Sequence, residues 1–292
     1  MQTERKKIRE LANRYRLEPT IRDIFVEGRA DVSVVSRFLR QENLRDVCVY
    51  EIASVEIPPE PLLDSGLHDG KRGRVIFLAW EFQKTLSPSS TVVTCVADRD
   101  YDTVLDRNYK SPFLLFMDHC CMEMYCFDSS VLHSLLTALA PSLASDSDRI
   151  LGQLAPLLQR LFAIRATNIA LGLGLEWLDS FEKSCTSTDD SIQFNEDDFI
   201  TRYLGKNAKL KAKPQFVQRL GEISSKMQGD RRMFIRGHDL SIVLAWYLRE
   251  HCSKTSSFFQ PQVLEKFLLA MIDHAQLHNS QFFRALLARV QG

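Results

Sequence analysis

The chain has 292 residues, 45% of them hydrophobic and 25% charged, as in an ordinary globular protein able to bury one large core or two smaller ones. Lys+Arg and Asp+Glu both total 37, so the formal net charge is zero. That balance excludes bulk positive charge as an argument for nucleic-acid binding, while a local basic patch would still suffice.

No run of eighteen apolar residues occurs, so no membrane span is expected. The start, Met1-Gln2-Thr3-Glu4-Arg5-Lys6-Lys7, lacks the apolar core of a secretory signal. Seven cysteines, at 48, 95, 120, 121, 126, 185 and 252, form no CxxC pair and suggest reduced thiols in a cytoplasm. His119 with Cys120, Cys121 and Cys126 lacks the paired short spacings of structural zinc, which favours buried thiols.

The first predicted element is an amphipathic helix over 4–18, with Ile8, Leu11 and Tyr15 on one face. Ile24-Phe25-Val26 reads as a buried strand ending in Glu27 and turning at Gly28. Val32, Val34, Val35, Phe38 and Leu39 then recur at helical spacing to about Gln41. A strand at Val47–Ile52 is followed by a Pro- and Gly-rich loop over 57–72 and a helix from Gly73 to Leu86. Val92–Ala97 is nearly all apolar, as an interior parallel strand should be, and runs into Asp98-Arg99-Asp100-Tyr101-Asp102. Phe113–Met117 reads as another strand, closed by Asp118; the period of Met122–Phe127 does not choose between strand and helix. Helices are expected at 129–139, 147–180, 197–205, 214–228, 237–251, 261–277 and 279–290. The expected fold class is therefore α/β, a mostly parallel sheet flanked by helices, followed by an all-helical C-terminal region. The change of pattern near residue 130 predicts domains 1–130 and 131–292.

Two acidic strand ends, about seventy residues apart, carry the chemistry. Ligands of open α/β sheets gather at the carboxyl ends of the strands. If the second strand continues past Ala97, alternation points Asp98 and Asp100 the same way. Crowded carboxylates repel unless a cation neutralises them, and hard oxygen donors suit Mg²⁺ or Mn²⁺. Such an ion polarises phosphoryl oxygens and activates water, the equipment of phosphodiester hydrolysis.

The order strand-Glu-Gly, helix, strand, helix, strand-DxDxD resembles the Toprim domain of topoisomerases, primases and overcoming-lysogenization-defect nucleases, over roughly residues 23–128. More closely, Phe25-Val26-Glu27-Gly28-Arg29-Ala30-Asp31, Asp98-Arg99-Asp100-Tyr101-Asp102, Asp118 with Glu123-Met124-Tyr125, and Arg236-Gly237-His238-Asp239-Leu240 are similar to one Toprim-like group long catalogued as a domain of unknown function. That group includes the toxin subunit of two-gene PARIS anti-phage systems. The resemblance implies a Mg²⁺- or Mn²⁺-dependent nuclease, tRNA favoured as substrate. It also implies an ABC-type ATPase sensor subunit as partner, which holds the toxin inactive until triggered, and a homodimer when active. Glu27, Asp98 and Asp100 match the catalytic and metal-binding acids; Glu123 matches a further ligand of two-metal members. Asp102, a metal candidate, and Asp31 match more weakly. No lysine clearly matches the catalytic lysine of the nuclease branch; Lys110 lies in its neighbourhood, between the DxDxD and the next strand. The alternative is a Toprim-like scaffold that docks on an ATPase and does no chemistry.

Other features have two readings. Lys206, Lys209, Lys211 and Lys213 are candidates for nucleic-acid backbone contact or a solvated loop before a helix. His238 is a candidate proton carrier or phosphate contact; the structural alternative, which the residues favour, is that His238 or Asp239 caps the helix after Gly237. His274 and His278 have the i, i+4 spacing of a zinc pair or of an ordinary exposed face. Trp80, Trp177 and Trp246 sit in apolar helical patterns and read as core rather than as base-stacking platforms. No P-loop is present, so ATP hydrolysis would belong to a partner.

Overall fold

The computed structural model describes residues 5–188, 190–252 and 257–292. The charged start Met1–Glu4, with the first residue of the predicted 4–18 helix, lies outside them. In chain order the elements are β1 (Lys6–Lys7), α1 (Ile8–Leu17), β2 (Asp23–Val26), α2 (Arg29–Gln41), β3 (Cys48–Glu51), β4 (Val55–Glu56), α3 (Pro59–Asp64), α4 (Lys71–Thr85), β5 (Val93–Ala97), α5 (Asp102–Leu105) and β6 (Leu114–Phe116). They continue as α6 (Ser129–Leu139), α7 (Ser147–Ala170), β7 (Cys185–Ser187), β8 (Ile192–Phe194), α8 (Glu196–Lys206), α9 (Lys213–Ser225), α10 (Gly237–His251), α11 (Pro261–Met271), α12 (His274–Asn279) and α13 (Gln281–Gln291). Contacts divide the chain into two compact units. The first comprises Met1–Arg99, Asn108–Met122 and Ile272–Gly292; the second comprises Asp100–Arg107 and Glu123–Met271.

The first unit is built on a four-stranded parallel sheet in the order β3-β2-β5-β6. Its two interior strands are buried at every position, which is why they read as nearly all apolar. The helical stripes seen in the sequence are the buried faces: Leu11 and Tyr15 on α1, Val34, Val35, Phe38 and Leu39 on α2, and Val75, Leu78, Ala79 and Phe82 on α4. Phe25, Phe82 and Phe113 are fully buried together in that core. The chain leaves β2 for β3 on one side, then returns across β2 to form β5 on the other. The strand order therefore reverses between β2 and β5, the switch point where open parallel sheets bind ligands.

Segment 57–72, expected as a loop, contains α3. Pro59 opens it, since a proline costs no hydrogen bond in the first turn, and Leu62 buries its face. Gly73 is required for packing: a β-carbon there would lie 2.1 Å from the His68 carbonyl oxygen. The C-terminal helices α12 and α13 complete this unit. Phe283 packs on Phe38 with ring centroids 4.5 Å apart, and Arg289 donates to the Leu114 carbonyl at 3.1 Å.

The second unit is helical, interrupted by the β7–β8 antiparallel hairpin, which is too short to show a strand period. Met122–Cys126, undecided from its period, is a 3₁₀ helix. The helix expected over 147–180 stops at Ala170, where Gly172 and Gly174 turn the chain with φ of +60° and +59°. The run expected over 261–277 is likewise divided into α11 and α12.

Candidate metal centre

Glu27 is the first residue after β2 and Asp98 the first after β5, so the switch point of the sheet carries both acids. Glu27 Oε1 accepts the Asp98 backbone N–H at 2.9 Å across 71 residues of sequence. Arg72 Nε, from α4, donates to the Asp98 carbonyl at 2.8 Å, and Arg99 Nε donates to the Met117 carbonyl at 2.6 Å, which ties the loop after β5 to the end of β6. Both acids are half-buried.

Gly28 is not in a glycine-only conformation. Its φ of −138° is extended, and a β-carbon would meet only ordinary contacts, 3.7 Å to Asp31 Oδ2 and 3.8 Å to Lys71 Nζ. Asp31 is buried, and its Oδ2 accepts the Gly28 N–H at 2.8 Å, so this candidate acid caps α2. Asp118 caps α13 in the same way, its two oxygens accepting the Phe282 N–H at 2.8 and 3.0 Å. Lys110 belongs to the first unit and is exposed.

The alternation expected to align Asp98 with Asp100 does not occur. The strand ends at Ala97, and Asp100 has φ of +47°, a left-handed conformation that aspartate tolerates better than most residues. Asp100, Asp102 and Glu123 belong to the second unit. Asp102 opens the short helix α5, which is anchored where Tyr101 packs on Phe162 with centroids 4.9 Å apart.

Glu123 lies against the start of α10. A β-carbon at Gly237 would fall 2.4 Å from Glu123 Cβ and 2.5 Å from its Oε2, so only glycine fits beside this carboxylate. Neither His238 nor Asp239 caps α10 through its side chain, contrary to expectation. Asp239 is buried and takes a two-pronged hydrogen bond from Arg165, 3.0 Å from Nε and 2.8 Å from Nη2. Arg165 in turn lies 3.4 Å from the centre of the Trp177 ring. His238 is exposed; its hydrogen bond to Glu265 raises its pKa above the ordinary 6.5, aided by the Glu265 and Glu123 charges against partial burial.

Of the basic segment, Lys206 bonds Glu176 at 3.0 Å and Lys213 bonds Asp197 at 2.7 Å, while Lys209 and Lys211 are exposed around a 3₁₀ turn between α8 and α9. His274 Nε2 and His278 Nδ1 both lie 2.9 Å from Glu42 Oε1, so the spacing that suggested zinc serves a shared carboxylate. The seven cysteines carry no disulfide. Among the described residues no group of three or more histidines, cysteines, aspartates or glutamates is arranged to hold a metal ion, and no helix is long and apolar enough to cross a membrane. Mg²⁺ often takes one or two protein carboxylates and fills its remaining positions with water and substrate phosphate, and Glu27 and Asp98 are the two candidates at the switch point. Sequence reading missed Arg72, Arg165 and the buried Asp23; an arginine partner or a carboxylate at a strand start leaves no spacing signature. Compared with known proteins, the chain matches no family model, and no curated protein matches it.

Proposed function

We propose that the chain is a metal-dependent nuclease acting as the toxin of an anti-phage system, tRNA its favoured substrate, restrained by an ABC-type ATPase and active as a homodimer. One observation carries the reading: two acids distant in sequence follow the two strands at the sheet's switch point, where the Glu27 carboxylate accepts the Asp98 backbone N–H. Glu27 and Asp98 would hold Mg²⁺ or Mn²⁺. Asp100, two residues along the chain, is the third proposed catalytic acid, with Asp102 and Glu123 as further metal candidates. A bound divalent ion supplies phosphoryl polarisation and water activation. The chain's part is to position the acids: the Asp98 N–H orients Glu27, and Arg72 fixes the Asp98 backbone.

The test compares the parent with Glu27→Gln, Asp98→Asn and Asp100→Asn in cleavage of tRNA and single-stranded DNA with Mg²⁺ or Mn²⁺. Loss of at least about a hundredfold is expected, the scale of removing a principal catalytic group. Because a chain expressed without its ATPase lacks that restraint, growth arrest on expression is scored alongside. Arrest or cleavage indifferent to all three substitutions overturns the reading. The absence of a three-ligand cluster among the described residues favours a second reading, a scaffold whose acids do no chemistry. Calorimetry separates the two: no Mg²⁺ or Mn²⁺ binding at concentrations on the order of millimolar selects the scaffold.

A further inference from the structure

Two hollows open in the first unit between α4 and the segment 109–116. The larger, about 500 Å³, is lined by Phe77, Trp80, Lys84 and Lys110, and the smaller, about 360 Å³, by Tyr109, Lys110, Pro112 and Phe116. Gln83 and Lys110 line both, so the two hollows adjoin and form a groove at these side chains.

The groove alternates rings and cations. Trp80 and Tyr109 have centroids 6.1 Å apart with planes at 48°, and the Trp80 indole N–H donates to the Lys110 carbonyl at 3.2 Å, holding the ring against the segment. The Arg72 guanidinium lies 5.2 Å from the Tyr109 ring and 5.9 Å from that of Phe116; Arg99 lies 5.8 Å from Phe116. Arg72 is also the residue whose Nε bonds the Asp98 carbonyl, so one side chain touches both the Tyr109 ring and the loop that follows β5. Among the described lining residues the one carboxylate, Glu81, is held by Lys84 at 2.5 Å.

Half-buried rings beside exposed lysines meet the requirements of an unpaired strand. Every base offers a π-face for stacking, and the phosphates between bases need cations. A duplex keeps its base faces in its own stack and offers such rings nothing. We propose that this groove binds single-stranded nucleic acid, with bases stacked on Trp80 and Tyr109 and phosphates on Lys84 and Lys110. The assignment rests on the nuclease reading for the strand's fate and on the groove's own chemistry for its place.

The test is fluorescence anisotropy of the full chain with labelled single-stranded RNA and, separately, DNA of mixed sequence, with EDTA present so that no cleavage intervenes. Lys110→Glu is expected to weaken binding about tenfold and to lower the salt slope. Tyr109→Leu is expected to weaken it about tenfold with the slope kept. Circular dichroism establishes that both variants fold. A measurement independent of variants is photocrosslinking of a thiouridine-bearing strand to the parent, with adducts expected within 80–84 and 109–116. Binding in EDTA, with no cleavage once excess Mg²⁺ or Mn²⁺ replaces the chelator, supports the groove and counts against the nuclease reading. Binding of neither strand, folded variants within twofold of the parent, or adducts confined to other segments overturns the proposal.

Discussion

Gly237 and Glu123 illustrate how much one missing methyl group can decide. With a would-be β-carbon 2.4 Å from Glu123 Cβ, Gly237→Ala forces the 3₁₀ turn and the start of α10 apart. A loss of about 2 kcal/mol is expected in urea unfolding. Pairing it with Glu123→Gly, which removes the opposing side chain, should recover most of that loss in a double-mutant cycle; additive losses would show that the clash is not the cause. Gly28→Ala makes a control, since its backbone is extended and its neighbours stand off. Asp23 supplies a pH test. Burial raises its pKa above the ordinary 3.8, outweighing the Tyr15 hydroxyl bond of 2.9 Å and the nearby Arg14, which lower it. A raised folded-state value favours the neutral acid, so the stability it contributes is present below the unfolded pKa and lost as pH rises through the folded one. Asp23→Asn keeps an acceptor for Tyr15 and removes that loss. Its Tm should exceed the parent's at neutral pH and match it below the ordinary carboxylate pKa. A parent that is the more stable at neutral pH contradicts this account.

Among the elements, α7 and α10 are joined by a buried polar pair, Arg165 and Asp239. Asp239 is 3% exposed and Arg165 16%, and both prongs of the guanidinium are engaged. Arg165→Leu leaves a buried carboxylate without its cation and should cost about 3–5 kcal/mol in denaturant unfolding. Replacing Asp239 with Leu as well should return much of that, because exchanging a whole buried pair for apolar groups is far less costly than breaking it. The sequence marked Gly237-His238-Asp239 as worth notice but assigned it to a helix cap. The partner that explains Asp239 lies 74 residues away, beyond any local pattern.

For the molecule as a whole, the sheet unit is not finished until its last residues arrive. Ile272–Gly292 belongs to the first unit, where Asp118 caps α13, Phe283 covers Phe38, and the two histidines of α12 share Glu42. A chain ended at Met271 would expose Phe38 and leave Asp118 and Glu42 without these partners. It should lose more than about 3 kcal/mol or be recovered only as aggregate, as judged by solubility and the urea midpoint. A truncated chain with an unchanged midpoint would refute the role given to these helices.

Periodicity and apolar runs were enough to locate the buried strands β2 and β5, the faces of α1, α2 and α4, and a helical C-terminal region. These are consequences of nearby residues sharing one burial pattern, and burial is local in its demands. The same reading put Glu27 and Asp98 at strand ends, since a strand's end is visible where apolar residues stop. It could not show that the two strands are neighbours, that the second stops before Asp100, or that Asp31 and Asp118 spend their carboxylates on helix ends. Nor could it show that an aromatic groove lines α4. Those facts depend on which distant segments meet, and a hydrogen bond or ring contact across tens of residues leaves no periodic trace along the chain.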